Sequence, residues 1–156
     1  MLFLKSFFFI LVFSIIPLND LLSFKKKNFY STKYNEVNIR IGPGINHLKL
    51  YKILIKGYPL EIIEEFENWF KIRDYKKREG WVSKTQLKKE NFVIVTSPSS
   101  NLHKFPNSKS KILAIAEKEF IFKILKCKKE WCNVSDTKKI RGWVKKNDLW
   151  GFNSEN

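Results

Sequence analysis

The sequence predicts an all-β protein that folds as two small β-barrels in tandem after an N-terminal export segment. Three observations support this prediction: the chain after residue 28 is written twice, apolar and polar residues alternate within each copy, and an apolar run opens the chain. A length of 156 residues permits one ordinary domain or two very small ones and excludes a multidomain enzyme. The aromatic content of 15%, with five Trp and fourteen Phe, supplies enough bulky apolar surface for two small cores.

The first 24 residues have the layout of an export signal. A single cation, Lys5, precedes an apolar run that ends at Pro17, and this run is too short to cross a bilayer comfortably. No A-x-A cleavage pattern follows, so residues 1–24 are read as a signal peptide or an uncleaved anchor, with a buried core element as the alternative. We therefore expect an exported protein of the periplasm or cell envelope, which contacts the membrane only through this segment and only if the segment stays uncleaved.

An internal repeat with an offset of 62 residues organises the rest of the chain. Trp69 recurs as Trp131, and the motif Gly80-Trp81-Val82 recurs as Gly142-Trp143-Val144. Further landmarks recur in the same register: Ile62 as Ile124, Ile72 as Val134, and Leu87 as Leu149. Upstream, one extra residue brings two more pairs into line: Asn38 with Asn101, and Pro43 with Pro106. The repeat predicts one barrel over residues 29–90 and a second over residues 91–152.

Each copy carries the pattern of short strands and tight turns. In the first copy, Leu60–Phe66 and Trp69–Arg73 are rich in strand-forming residues and are separated by a two-residue turn. A polar turn follows, Gly80-Trp81-Val82 restarts a strand, and Ser83–Leu87 is short enough to be a single helical turn. The second copy repeats this design over residues 120–149. Short strands with tight turns in a unit of about sixty residues predict a small β-barrel.

The alternation of side chains across a strand predicts four Trp side chains on the outside of the barrels. Ile72 and its counterpart Val134 are assigned to the cores, so the Trp three positions earlier in each strand falls on the opposite face. The same parity separates Trp from Val in both Gly-Trp-Val motifs. Large exposed aromatic residues mark binding surfaces, and a loop folded over each Trp is the alternative. The candidate ligand-binding residues are Trp69, Trp81, Tyr51, Trp131 and Trp143.

Two cysteines, Cys127 and Cys132, predict a disulfide across a hairpin. A C-x4-C pair lacks the further ligands that a zinc site requires, and the nearest histidine, His103, lies far upstream. In an oxidising compartment the pair can bridge the two strands of a hairpin, whereas two small buried thiols are the alternative. We expect no metal and no cofactor.

The charge balance limits the classes of partner. Thirty Lys and Arg against fifteen Asp and Glu give a formal charge of +15, which attracts anionic partners. Only four of these cations are Arg, and the bias towards Lys, Ile, Asn and Phe is typical of codon usage in an A+T-rich genome. Because the Lys residues are scattered over both copies, we expect no nucleic-acid partner. His47 and His103 are the only histidines and no Ser or Cys has a nucleophile-elbow context, so we expect no enzyme activity.

The loop Asn38-Ile39-Arg40-Ile41-Gly42-Pro43-Gly44, followed by Leu60–Ile63, Trp69–Ile72 and Gly80-Trp81-Val82, resembles the bacterial SH3 (SH3b) domain family. The whole chain is similar to small exported proteobacterial SH3-like proteins with two such domains. The resemblance implies tandem SH3-like barrels of five or six strands without a catalytic role of their own. It also implies binding to cell-wall peptidoglycan or to peptides of the envelope.

In this loop, Gly42 and Gly44 are predicted to permit positive φ, and Pro43 is predicted to fix the turn between them. Arg40 is expected to pair with a neighbouring carboxylate such as Glu64, and a ligand carboxylate is the alternative. The second copy lacks the Arg and both Gly, so the resemblance does not extend a function of this loop to that copy.

Two functions follow from these features. The first is a non-catalytic envelope module that binds cell-wall peptide or glycan through an aromatic groove rimmed by Lys. The alternative is an interaction adaptor for another envelope protein, in which tandem barrels supply avidity. His103 takes the place of Arg40 in the second copy, so a structural role is expected for it. Trp150 and Phe152 are expected to fill the seam between the barrels or to cover a barrel end.

Overall fold

A computed structural model describes residues 27–136 and 140–152. The predicted export segment, residues 1–24, lies outside this range. Within the described part of the chain the regular structure consists of strands and two single 3-10 turns, Lys84–Gln86 and Lys146–Asp148. None of its helices has the length and apolar character that crossing a membrane requires.

The strands fall into two groups of seven. The first group runs from residue 28 to residue 88. Its strands are β1 (Asn28–Thr32), β2 (Val37–Arg40), β3 (Lys49–Ile53), β4 (Pro59–Phe66), β5 (Trp69–Arg73), β6 (Glu79–Ser83) and β7 (Leu87–Lys88). The strands of the second group are β8 (Phe92–Val95), β9 (Ser99–His103), β10 (Ile112–Glu117), β11 (Ile121–Lys128), β12 (Trp131–Ser135), β13 (Arg141–Lys145) and β14 (Leu149–Trp150).

Each group forms one antiparallel sheet, and the two sheets have the same topology. The strand order is β3-β2-β6-β5-β4-β1-β7 in the first sheet and β10-β9-β13-β12-β11-β8-β14 in the second. Even the irregularities repeat, because the register shifts between Ile62 and Glu64 and again between Ile124 and Lys126. The predicted all-β fold with two tandem barrels is confirmed. The strand count exceeds the five or six that the family resemblance implies, since each copy ends on a two-residue strand that pairs with its first strand.

Each sheet encloses its own apolar core. The alternation of the sequence determines which residues enter, because Ile72 of β5 and Val134 of β12 are fully buried. The predicted helical turn at Ser83–Leu87 is confirmed as a 3-10 turn that brings Leu87 into the first core.

The two barrels are docked through an apolar seam. Ile94 of β8 is buried in the core of the first barrel, although it belongs to the second sheet. Trp150 of β14 packs on the same core and meets the ring of Phe29 edge-on, with ring centroids 4.9 Å apart. Gly151 has a φ of +111°, and a Cβ atom there would lie 2.6 Å from Pro59. The predicted seam role of Trp150 is confirmed, whereas Phe152 packs against the second core.

Polar contacts flank this seam. Glu119, between β10 and β11, accepts a hydrogen bond from the Tyr75 hydroxyl and forms an ion pair of 2.9 Å with Lys76. Glu90, in the connection between the sheets, pairs with Lys88 at 2.7 Å and with Lys123 at 3.8 Å. The connection between the sheets is therefore short and also forms an ion pair with the second barrel through Lys123.

Cys127 and Cys132 form the predicted disulfide. They lie opposite each other on β11 and β12, with Cα atoms 4.0 Å apart, on either side of the hairpin turn. The bond closes the hairpin directly beside Trp131, and it therefore pins the strand that carries this Trp.

Candidate functional site

The Trp residues of the first barrel lie on the outer face of its sheet. Along β5, Phe70 and Ile72 are buried, whereas Trp69 is half-buried and shares its face with Lys71. Along β6, Val82 is buried and its neighbour Trp81 is half-buried. The predicted outward orientation is therefore confirmed for this pair, and neither Trp belongs to the core.

The register of the strands brings the two indoles together. Trp69 lies opposite Ser83, and Trp81 lies opposite both Lys71 on β5 and Arg40 on β2. The indoles are therefore diagonal neighbours, a spacing that large side chains can bridge. A cleft of about 130 Å³ adjoins Trp69. We call it the first groove; it is lined by Asn38, Arg40, Ile45, Trp69, Ser83 and Gln86.

Arg40 stabilises the loop that forms one wall of the first groove. Its guanidinium donates a hydrogen bond of 2.7 Å to the backbone carbonyl of His47. The expected pairing with Glu64 is wrong, because Glu64 lies opposite Lys71 and forms an ion pair of 3.5 Å with it. The structural role of Arg40 thus uses a carbonyl acceptor that becomes available only once the loop has folded back.

The glycines of this loop act by size and not by backbone conformation. Neither Gly42 nor Gly44 has a positive φ, so that prediction is wrong. A Cβ atom at Gly42 would lie 2.8 Å from the His47 ring, and one at Gly44 would lie 3.2 Å from it. The two glycines, on either side of Pro43, therefore leave room for the imidazole inside the loop.

The second barrel has a groove at the same place. This second groove, of about 320 Å³, is lined by Ser99, Ser100, Asn101, His103, Ser108, Ile112, Lys145 and Asp148. Asn101, His103 and Lys145 stand where the first barrel has Asn38, Arg40 and Ser83.

His103 takes over the structural role of Arg40. Its Nδ1 lies 3.0 Å from the carbonyl oxygen of Ser110, seven residues further along the chain, as Arg40 does with His47. The imidazole is buried and meets the Trp131 ring edge-on, with centroids 5.2 Å apart. The expected structural role of His103 is confirmed.

Cations lie over both indoles of the second barrel. Trp131 and Trp143 are half-buried on the outer face, while Cys132, Val134 and Val144 are buried. The Lys145 ammonium lies 5.9 Å from the Trp131 ring centroid, and the Lys126 ammonium lies 5.8 Å from that of Trp143. These distances allow a cation–π attraction, and they leave the ammonium groups near any ligand that contacts the rings.

Tyr51, the remaining candidate, lies on the other side of the sheet. It faces Ile39 across β2 and β3 and packs against the first core. The Arg78 guanidinium covers its ring at 4.2 Å. Burial, together with the nearby Asp74, raises the pKa of Tyr51 to about 12. Tyr51 therefore does not border the first groove.

The ion pair above Tyr51 is not predicted by the sequence pattern, which indicates only a polar turn at residues 74–79. Asp74 is 1% exposed and accepts hydrogen bonds from Arg78 through Nε at 2.7 Å and through the backbone N–H at 2.9 Å. The Asp and Arg at the two ends of this turn were the available signal. They cap the barrel end that contains Tyr51.

The sequence profile of the bacterial SH3 domain family matches this chain twice, over residues 33–89 and 97–151. No curated protein matches the chain. Among solved structures it is similar to NlpC2 and NlpC1 from Trichomonas vaginalis, with 15% and 14% identity and a TM-score of 0.38 for each. An NlpC/P60 family protein from Bacillus cereus ATCC 10987 shares 16% identity at a TM-score of 0.35. These matches cover 82–83% of this chain, which spans about half the length of the three proteins: 49%, 47% and 58%, respectively.

Proposed function

The chain belongs to the bacterial SH3 domain family, and on this premise we propose that it is a non-catalytic binding module that recognises cell-wall peptide or glycan through its two grooves. The observation that carries the proposal is the recurrence of the site. Both barrels place two outward Trp and a polar cleft at the same position of the sheet, although the loop that lines the cleft has changed its sequence. None of these four indoles belongs to either barrel core.

The chemistry of the grooves suits a wall fragment. Indole faces offer flat apolar area, while Lys and Arg beside them attract carboxylates. In the first barrel, Arg40 and Lys71 flank Trp81 in the register. In the second, Asn133 and His103 flank Trp143 in the register, and the ammonium groups of Lys126 and Lys145 lie over the indole rings instead. Stem peptides combine carboxylates with short apolar side chains, so the cations can bind the carboxylates and the indole faces can contact the apolar side chains.

Two grooves on one docked chain supply avidity. A repetitive polymer can occupy both grooves at once, and the second contact then forms at high effective concentration. Weak binding by each groove is therefore compatible with firm retention on the wall. The proposal places the protein in the cell envelope, with residues 1–24 as the export segment.

A pull-down with purified sacculi tests the function. Residues 25–156 contain all the strands described, so this polypeptide is mixed with sacculi at about 0.5 M salt, where nonspecific attraction of a basic protein is screened. We expect the wild type to be retained and Trp69→Ala, which removes the indole that lines the first groove, to be retained less. Tyr34→Ala is the matched control, since Tyr34 is an exposed aromatic residue, 47% accessible, outside both grooves. Equal retention of the wild type and Trp69→Ala contradicts the groove assignment.

A further inference from the structure

The two barrels differ most at the end that Tyr51 fills in the first copy. There the Tyr51 ring packs on the core, the Arg78 guanidinium covers it at 4.2 Å, and the buried Asp74 carboxylate fixes the guanidinium. The first barrel is therefore closed by its own aromatic side chain.

The second barrel has lost these closing residues. Ala114 lies opposite Leu102 as Tyr51 lies opposite Ile39, so Ala114 stands in the place of Tyr51. By the same alignment, Ala116 replaces Ile53. Asp136 and Ile140 pair as Asp74 and Arg78 do, since Asp136 N–H donates to the Ile140 carbonyl as Asp74 N–H donates to the Arg78 carbonyl. Ile140 therefore replaces Arg78.

These three replacements leave an open apolar pocket. Its volume is about 300 Å³, and its lining consists of Leu102, Ala114, Ile115, Ala116, Phe120, Phe122, Asp136 and Ile140. An apolar cavity of about half this size accepts benzene. The pocket is therefore large enough for one aromatic side chain, and the first barrel shows that such a ring fits this place in the fold.

The strand beside the pocket is an edge strand whose one charged residue, Glu117, stands at its end. Strand β10 ends its sheet and pairs, among the strands described, only with β9. Its counterpart β3 carries Lys49 and Lys52, a usual protection of an exposed edge. In β10 these positions are Ile112 and Ile115, which are 46% and 64% exposed. A chain with thirty cations thus has none on this strand.

We propose that β10 and its pocket bind an extended segment of a partner polypeptide that carries an aromatic side chain. The backbone of the segment adds a strand to the free edge of β10, and its ring enters the pocket that Tyr51 fills in the first barrel. Polypeptide is the occupant because an extended segment can pair with the whole row of backbone groups along the edge of β10, whereas a small aromatic molecule can pair with only one or two of them. The pocket shares no lining residue with the second groove, which β10 borders only through Ile112, and the proposed site does not depend on wall binding.

Peptide titration followed by amide NMR tests the site. The protein, residues 25–156, is titrated with acetyl-Thr-Val-Thr-Tyr-Thr-Val-Thr-amide and with the same peptide in which Ala replaces Tyr. We expect saturable shifts of the β10 amides but not of the β3 amides. The Tyr peptide should bind about tenfold more tightly, or better, because it buries a ring. N-methylation of alternate peptide amides should abolish binding, since it removes the donors to β10.

Variants separate the pocket from the edge. Ala114→Tyr fills the pocket from within and should remove the preference for the Tyr peptide. Ile115→Lys restores an edge charge on an exposed position, where misfolding is not expected, and should weaken both peptides. Leu50→Lys makes the same change on β3 and is the matched control.

Three results would overturn the proposal. They are equal affinity of both peptides, unchanged binding to Ala114→Tyr, and no β10 shift at about 2 mM peptide. Self-association that Ile115→Lys abolishes, without peptide binding, would identify a second copy as the occupant and equally reject a foreign partner.

Discussion

Trp150 offers a direct test of how the two barrels hold each other, because its ring comes from the second sheet and packs on the core of the first. Removing a fully buried aromatic side chain costs about 3–5 kcal/mol. Trp150 is half-buried, which roughly halves that figure, and the edge-on contact with Phe29 adds about 0.5–1.5 kcal/mol. We therefore expect Trp150→Ala to lower the free energy of unfolding by about 2–4 kcal/mol.

Urea unfolding measures this effect, with circular dichroism for the whole chain and methyl NMR for each barrel. The first barrel should unfold at lower urea in Trp150→Ala, even though the substitution lies in the second copy. Trp143→Ala is the matched control: its ring is also half-buried but lies on the outer face of the second sheet and outside the first core, so the urea midpoint of the first barrel should stay unchanged. A loss below about 0.5 kcal/mol for Trp150→Ala, the size of an ordinary surface effect, would refute the seam.

Three further predictions concern close contacts within and between the barrels. Gly80→Ala should destabilise the first barrel by about 1–3 kcal/mol in urea unfolding, because the new Cβ would lie 3.0 Å from a carbonyl oxygen of β2; an unchanged midpoint would contradict this close approach. Replacing both Cys127 and Cys132 by Ala should cost about 2 kcal/mol, since the disulfide closes only a short loop, and a loss of folding would show a larger role. The Tyr75 hydroxyl and the neighbouring lysine lower the pKa of Glu119, so its stabilisation is present above about pH 4.5 and is lost as the pH falls through the lowered pKa. The difference in urea midpoint between the wild type and Glu119→Gln should therefore vanish in acid, and a pH-independent difference would disprove the linkage.

Much of the fold can be predicted from the sequence, because each strand occurs in two copies and the two copies show the same alternation of buried and exposed positions. Ile72 and Val134 identify the same inward position twice, and this fixes the face of Trp69 and Trp131 by parity alone. The disulfide followed from a short hairpin spacing and an expected oxidising compartment. Local periodicity and short-range spacing suffice for such features.

The sequence does not predict contacts between residues that meet only after the chain has folded back on itself. Arg40 bonds to a carbonyl seven residues away, and no side-chain pattern marks a carbonyl acceptor. Tyr51 is predicted to join the Trp residues only because it is aromatic, whereas it pairs with the buried Ile39 and the Arg78 guanidinium covers its ring. The pocket of the second barrel was missed for a related reason. It results from substitutions on separate elements, Ala114 on β10 and Ile140 after β12, which only the three-dimensional register brings together.

The indole N–H signals of the five Trp residues give the most direct test of the proposed function in one experiment. The protein is titrated with a soluble disaccharide-peptide fragment of the wall, and each indole signal is assigned by single substitution. Signals of Trp69, Trp81, Trp131 and Trp143 should shift along saturable curves, while that of Trp150, held in the seam, should stay in place. No shift of the four outward indoles, or a shift of Trp150 alone, would contradict the account.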